Sequence, residues 1–543
     1  MVQIQSEVSL ASATGPEQKK VISRKSTLDE DVDHGAETDL HRSLSTRHLT
    51  MIALGSAIGM GLWLGSGTSL QKGGPAALVI GYVLSGTMVW AVSQSIGEMA
   101  VLYPLPSAFV QWAQIFIDPA VAFTLGWAYW IQYFITVANE LQGFVTTLNF
   151  WTDKVPTPAA IIIAWAIIVF INVWAVRFFG EVEVCSSAIK FFWIIVVIIS
   201  LIVISAGGSP GEGPIGFRYW NIAPFTNGFK GFLSVLPICI FAMSGSENIA
   251  LVAAETSQPR TAVPKAVNSI WLRLSLFYIL GSLAVTINVD PQNPDLFGNS
   301  GSNASPFVLA YKSAGLMPLA HMMNAVIMIS VLSTGSISAY AGARTLMGLA
   351  HINMAPKIFG RADDDGRPWA GVLSTLIIGG GISFLNVSSS GAEVFTWFSN
   401  LTSLFVLFGW GIICLSHIRM RYAWVAQGRP LSSLAWRSRW FPFSAYWGLV
   451  WCVVLMGLEF YLSVWPLHEA SSVSNFFANY VSVVAVIVIY AAAKLFYRTP
   501  FWIEGTKVDL DSMRRFYRTD TGAGRPTRDK KWRLSNMLSA LVD

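Results

Sequence analysis

Apolar blocks of about 20 residues follow one another through the chain, and they constrain its fold more than any other feature. A helix of that length crosses the roughly 30 Å of hydrocarbon in a bilayer. In lipid the backbone must satisfy its own hydrogen bonds, so such blocks are helices and not open strands. Only 12% of the 543 residues are charged, about half the fraction of a soluble chain. The reading is an all-α, polytopic membrane protein.

About twelve spans are expected, over 50–70, 76–102, 119–148, 158–176, 184–206, 230–255, 269–289, 317–349, 369–388, 392–415, 444–465 and 475–497. They define a transmembrane domain over 50–497. A polar, disordered tail over 1–49 precedes it and a polar, basic tail over 498–543 follows it. An even count puts both tails on one side. Loops on that side carry Arg177, Arg260, Lys265, Arg273, Lys357, Arg361, Arg367 and a run of arginines from Arg419 to Arg439. The opposite loops carry Lys72, Lys154, Arg218, Lys230 and Lys312. The excess makes both termini cytoplasmic. The sequon Asn303-Ala304-Ser305 falls in an outside loop, which agrees.

Composition also excludes classes of function. Cys185, Cys239, Cys414 and Cys452 lie in or beside apolar segments with no metal-ligand spacing, so they read as small core residues. No cofactor or metal site is expected. "DDDG" (363–366), among Arg361 and Arg367, reads as a solvated turn. The basic C-terminal tail suits anionic membrane lipids, and no folded basic domain is present to bind nucleic acid. Without paired catalytic carboxylates or a phosphate loop, the chain is not an enzyme.

Two apolar segments are interrupted by small residues. "ALGSAIGMGLWLGSGTS" (53–69) holds five glycines between Gly55 and Gly67, and "FAMSGSEN" (241–248) repeats the pattern in span 6. The interruptions open two blocks of five spans, over 50–206 and 230–415, with two extra helices over 444–497. Five is odd, so the second block enters the membrane inverted. Paired broken helices in opposed halves point to a transporter site near the bilayer midplane. Freed N–H groups after a break suit a carboxylate and freed carbonyls before it suit an ammonium. Together they can hold both ends of a zwitterion. Small-xxx-small packing is the alternative use of such glycines.

"RHLTMIALGSAIGMGLWLGSG", "SIGEMAVLYP", "GWAYWIQYFITVANEL", "FFGEVEVCSSAIKFFW", "FAMSGSENIALVAAETSQPRTAVPKAV" and "SISAYAGARTLMGLAHINMAPKIF" resemble the fungal amino acid permeases. These form the yeast amino acid transporter family of the amino acid–polyamine–organocation superfamily. The resemblance runs over about residues 40–465. It implies the 5+5 inverted-repeat core shared with the bacterial leucine transporter, and proton-driven amino acid uptake at the plasma membrane. By position it puts the substrate carboxylate on N–H groups around Gly59, Met60 and Gly61. The ammonium falls to carbonyls of Ala57, Ile58, Phe241, Ala242 and Met243, with Gly245 in the second break. The sequence departs from the usual I-G-T-G-L-F at Met60 and Trp63. It departs again at Met243, where an aromatic lid is usual, and at Asn139, where a proline usually precedes the glutamate.

Charges inside spans are costly and need a partner or a role. Lys190, in "AIKFFWIIVVII", is buried in span 5, where a lysine can gain and lose a proton. In proton-coupled relatives a span 5 lysine amine takes the place of a sodium ion and bridges span 1 to span 8, so Lys190 is the candidate for proton coupling. Tyr129, Tyr133, Thr136 and Glu140 share one face of span 3, either lining a pathway or bonding another helix, and Glu140 is a second candidate for proton coupling beside Lys190. Glu247 follows the span 6 break, as a substrate contact or as a cap. Glu98 reads as a structural ion pair or gate. Ser333, Ser336, Tyr340 and Arg344 form a stripe on span 8, with Arg344 expected to pair with an acid. Glu393, Thr396, Asn400 and Ser403 form one on span 10 that can reach the pocket.

The function expected is proton-coupled uptake of an α-amino acid by alternating access. The alternatives are a polyamine or other cationic solute, exchange or sodium coupling on the same fold, or a non-transporting nutrient receptor. Met60, Trp63 and Met243 favour an adaptable, apolar-walled pocket for neutral or varied substrates. The tails are expected to meet trafficking or ubiquitylation machinery.

Overall fold

A computed structural model describes residues 34–35, 44–55, 58–209, 213–298, 304–363, 365–387, 391–467 and 470–517. Ala57 and Asn303 lie outside them. Among the described residues, ten helices are long and apolar enough to cross a bilayer. The 17-residue helix Thr157–Val173 and the bent segment from Thr46 to Gly73 raise the number of spans to twelve. The fold is helical and polytopic, as the sequence predicts. Chain ends meet in a two-residue antiparallel ladder, His34–Gly35 with Arg515–Phe516.

Span 1 comprises Thr46–Gly55, Met60–Trp63 and Gly65–Gly73. Spans 2 to 5 are Pro75–Leu102, Pro119–Asn149, Thr157–Val173 and Val176–Ser205. Span 6 is Gly228–Met243 followed by Asn248–Ala253. Span 7 runs over Pro259–Asn288 through a π-helical stretch at Leu274–Leu280. Spans 8 to 12 are Met317–His351, Trp369–Val387, Gly391–Ala426, Phe443–Val464 and Val473–Tyr497. Spans 2, 3, 4, 7 and 8 have proline in the first turn, where a missing N–H costs nothing.

The apolar window of span 6 is 94% buried, against 28% for span 11 and 17% for span 12. Span 6 therefore runs through the centre, while the last two helices lie at the periphery and turn apolar surface to lipid. Spans 3 and 8 pack together along their lengths beside it.

Three helices extend further than their hydropathy indicates, and polar contacts between helices hold two of the extensions. Span 5 starts at Val176 rather than 184; Glu181 pairs with Arg47 and His48 in span 1. Span 10 continues to Ala426 rather than 415, and Arg421 in its added turns pairs with Glu98. Span 7 starts at Pro259 rather than 269. Arg273, assigned from sequence to a tail-side loop, is instead fully buried inside that helix. Of the cysteines, Cys239, Cys414 and Cys452 are buried, whereas Cys185 sits on the exposed surface of span 5.

Residues 498–517 do not project away from the bundle. Leu510 is 2% exposed, Tyr103 donates to its carbonyl at 2.9 Å, and Gln427 donates to the carbonyls of Gly505 and Val508. Asp363 accepts from Arg367 and closes the acidic turn.

Candidate functional site

Both interruptions are breaks in helical geometry. Helix ends at Gly55 and restarts at Met60; it ends again at Met243 and restarts at Asn248. Gly245 sits between the latter two at φ +94°, a conformation open to glycine and strained for other residues. Between the breaks lies a cavity of about 20 Å³, room for about one water molecule. Gly59 and Gly61 line it from span 1. Phe241, Ala242, Ser244, Gly245 and Asn248 line it from span 6. Span 3 supplies Gln132, Tyr133, Thr136 and Glu140, and span 8 supplies Thr334, Ile337 and Ser338.

Glycine at 59 and 61 is required by close approach. A Cβ on Gly59 would lie 2.5 Å from a Glu140 carboxylate oxygen, and one on Gly61 would lie 2.7 Å from the Ala242 Cα. Neither distance is tolerable, so these glycines let span 3 and the span 6 break reach the backbone of span 1.

The Glu140 carboxylate meets the restart of span 1. The Met60 N–H donates to its two oxygens at 3.2 and 3.0 Å. This is the anion-favouring end of a freed peptide row, where the substrate carboxylate was expected. Three of the carbonyls expected to be free are engaged. Ile58 O accepts from Ser330 at 2.5 Å and Thr334 at 3.0 Å. Ala242 O accepts from Tyr278 at 2.6 Å, and Phe241 O from the Ser244 hydroxyl at 2.7 Å. A broken helix away from bulk water must satisfy its peptide groups from side chains, and hydroxyls on spans 7 and 8 do so.

Lys190 does not line the cavity. Its amine donates to Gly55 O and to Ser333 Oγ, each at 3.0 Å. Ser333 donates in turn to Glu183 Oε2 at 2.9 Å. The group thus ties span 5 to the end of helix before the first break and to span 8. Glu247 folds back on its own break, accepting from Gly245 N at 3.2 Å and from Trp410 Nε1 at 2.9 Å. Arg273 donates to Ala53 O at 3.0 Å and to Ser246 Oγ at 2.6 Å, joining the two breaks.

Other singled-out residues stand away from the cavity. Glu98 accepts two bonds from Arg421, at 2.5 and 2.7 Å, and one from Ser438 N. Arg344 pairs with Glu255 at 2.7 Å and lies over the Tyr340 ring, itself stacked on Phe179. Ile58, Met60 and Met243 are fully buried and outside the lining, as is Trp63, which donates to Ser330. The walls are accordingly more polar than the apolar pocket expected from these side chains. The span 8 face on the cavity is Thr334, Ile337 and Ser338, one position round from the expected stripe. The span 10 stripe faces spans 11 and 12: Asn400 bonds Asn479 and Ser403 bonds Glu459.

Sequence reasoning missed Glu183, Arg273, Asn248 and Gln132. Glu183 had a signal, since it lies seven residues before Lys190 on the same helical face. Arg273 had one too, standing inside the apolar run "SIWLRLSLFYIL".

Twelve helical spans around two broken helices that face a small polar cavity define a multi-pass membrane protein of the secondary-transporter class. Comparison with known proteins narrows this. The family described as amino acid permease matches residues 48–502. General amino-acid permease GAP2 of Candida albicans is 41% identical over 485 residues, covering 88% of this chain and 82% of the relative. General amino-acid permease GAP1 of Saccharomyces cerevisiae is 39% identical over 490 residues, covering 88% and 81%. Cationic amino acid transporter 1 of Schizosaccharomyces pombe is 37% identical over 469 residues, covering 85% and 80%. The chain belongs to the amino acid permease family.

Proposed function

We propose that this protein imports α-amino acids across the plasma membrane together with protons, alternating access about the cavity between spans 1 and 6, with both termini in the cytoplasm. The observation that carries the reading is the Glu140 carboxylate on the Met60 N–H, beside Gly59 and Gly61. A site that holds one carboxylate on backbone N–H groups has the chemistry to hold another. The substrate carboxylate takes the N–H groups of 59–61. Its ammonium goes to the backbone oxygens of the breaks, at Ile58 and Phe241 to Met243, by displacing hydroxyl donors.

Lys190 supports the proton reading, because a lysine amine joining Gly55 to Ser333 fills a place where a coupling cation would otherwise bridge spans 1 and 8. Two of the relatives are named general amino-acid permeases, which supports a wide substrate range. The test is competition of labelled uptake by a panel of unlabelled amino acids and polyamines, in cells stripped of their own permeases. Several amino acids of different side chain should compete. Complete competition by putrescine with none by any amino acid would overturn the reading.

A further inference from the structure

A second cavity shares no lining residue with the central one. It has a volume of about 450 Å³ and opens to solvent among spans 1, 6, 10, 11 and 12. The ring of Phe395 stands 5.8 Å from Phe241 and 5.3 Å from Phe297. Phe241 lines the central cavity, so this aromatic cluster abuts it.

Glu459, on span 11, lines this outer cavity while its residue is only 4% exposed. Its Oε1 accepts from Ser403 at 2.8 Å, and among the described residues no cation pairs with it. A buried carboxyl group without a counter-ion is costly to ionise, and a cation entering beside it would offset that cost. Around it are Ser463, one turn further along span 11, and the hydrogen-bonded amides of Asn400 and Asn479. Glu393 and Lys72 also line the cavity.

We propose that this outer cavity is a second binding site, for the primary ammonium group of a small solute, with Glu459 as its counter-charge. The chemistry fits an ammonium better than a metal ion. Three N–H donors can be shared between one carboxylate and neutral oxygens, whereas a hard divalent cation draws several oxygens in to about 2.0–2.6 Å. An incoming solute would dock at Glu459 before it reaches the central cavity. The argument does not depend on what the central cavity binds.

The test is equilibrium binding of labelled lysine, alanine and putrescine to the purified full-length chain in lipid nanodiscs. Wild-type protein should bind lysine in two populations. Glu459→Gln should weaken the looser one at least tenfold and leave the tighter one within twofold. Ser463→Lys, which tethers an ammonium one turn from Glu459, should remove the same population. Loss extending to alanine assigns the site to an α-ammonium; loss confined to lysine and putrescine assigns it to a side-chain ammonium. Isotherms of both variants that superimpose on wild type, whether one population or two is seen, overturn the proposal. So does loss of both populations in Glu459→Gln with both kept in Ser463→Lys. Absence of the tighter population alone would instead count against the proposed function.

Discussion

Lys190 donates to the carbonyl of Gly55 at 3.0 Å, so a side chain of span 5 holds the last helical residue before the first break. The same amine reaches Ser333 on span 8. Anything that shifts the amine therefore acts on the break and on the opposing helix together. Lys190→Ala should lower uptake driven by an imposed pH gradient by about tenfold or more, within the range of typical coupling energies. Exchange of labelled for unlabelled substrate at equal pH should fall less. Uptake that keeps its full proton dependence in the variant would remove Lys190 from the coupling path.

Gly59 tests the close approach of span 3 to the first break. A methyl group there would meet the Glu140 carboxylate at 2.5 Å. Glu140 would be driven off the Met60 N–H, or span 1 off span 3. Gly59→Ala should cost about 1–3 kcal/mol, as overpacking does, and uptake should fall with the protein still at the membrane. Normal uptake kinetics would show that the contact gives way at no cost.

The spans and both breaks were legible because their signals are local. Apolar block length fixes a span, and Gly-rich runs at 55–67 and 241–248 mark breaks. What was not legible came from packing between distant segments. Arg273 was assigned to a loop although it stands in an apolar run, and only the fold brings it to Ala53, 220 residues away. The Lys190 amine was expected between spans 1 and 8, but the Glu183–Ser333 link behind it depends on the rotation of span 8. That rotation also decides that Thr334 and Ser338, and not Ser336 and Tyr340, face the cavity. A stripe read by spacing names a face without saying what the face meets. Span 10 shows this, its stripe turning to Asn479 and Glu459.

The docked C-terminal segment should respond to acid. Asp511 accepts two bonds from Arg429, at 2.7 and 2.6 Å, outside the spans. These hydrogen bonds hold its carboxyl below the usual aspartate range. A depressed value in the docked state means that the contact stabilises docking above the free aspartate's value, about pH 4. That contribution is lost as pH falls through the lowered value. Protease cleavage within 505–517 should be slow from pH 7 down to about pH 5 and rise below about pH 4. Asp511→Asn should cleave faster at neutral pH and lose most of the acid response. A pH profile unchanged by Asp511→Asn would show that another group releases the segment.

Arg273 joins the two breaks directly, and its removal is the sharpest test of whether they work as one unit. Its guanidinium holds Ala53 O on span 1 and Ser246 Oγ within the span 6 break, and it is fully buried. Hydrogen bonds to charged groups contribute about 1.5–3 kcal/mol each. Arg273→Ala leaves the Ala53 carbonyl and the Ser246 hydroxyl without this donor and should destabilise the fold by several kcal/mol, read as a lower melting temperature in detergent. Arg273→Lys keeps the charge but not the two-pronged reach. It should recover more of the stability than of the transport, because one amine cannot hold both breaks at their present spacing. If Arg273→Lys transports as well as wild type, the breaks move independently. If Arg273→Ala melts at the wild-type temperature, the guanidinium contributes nothing to their alignment.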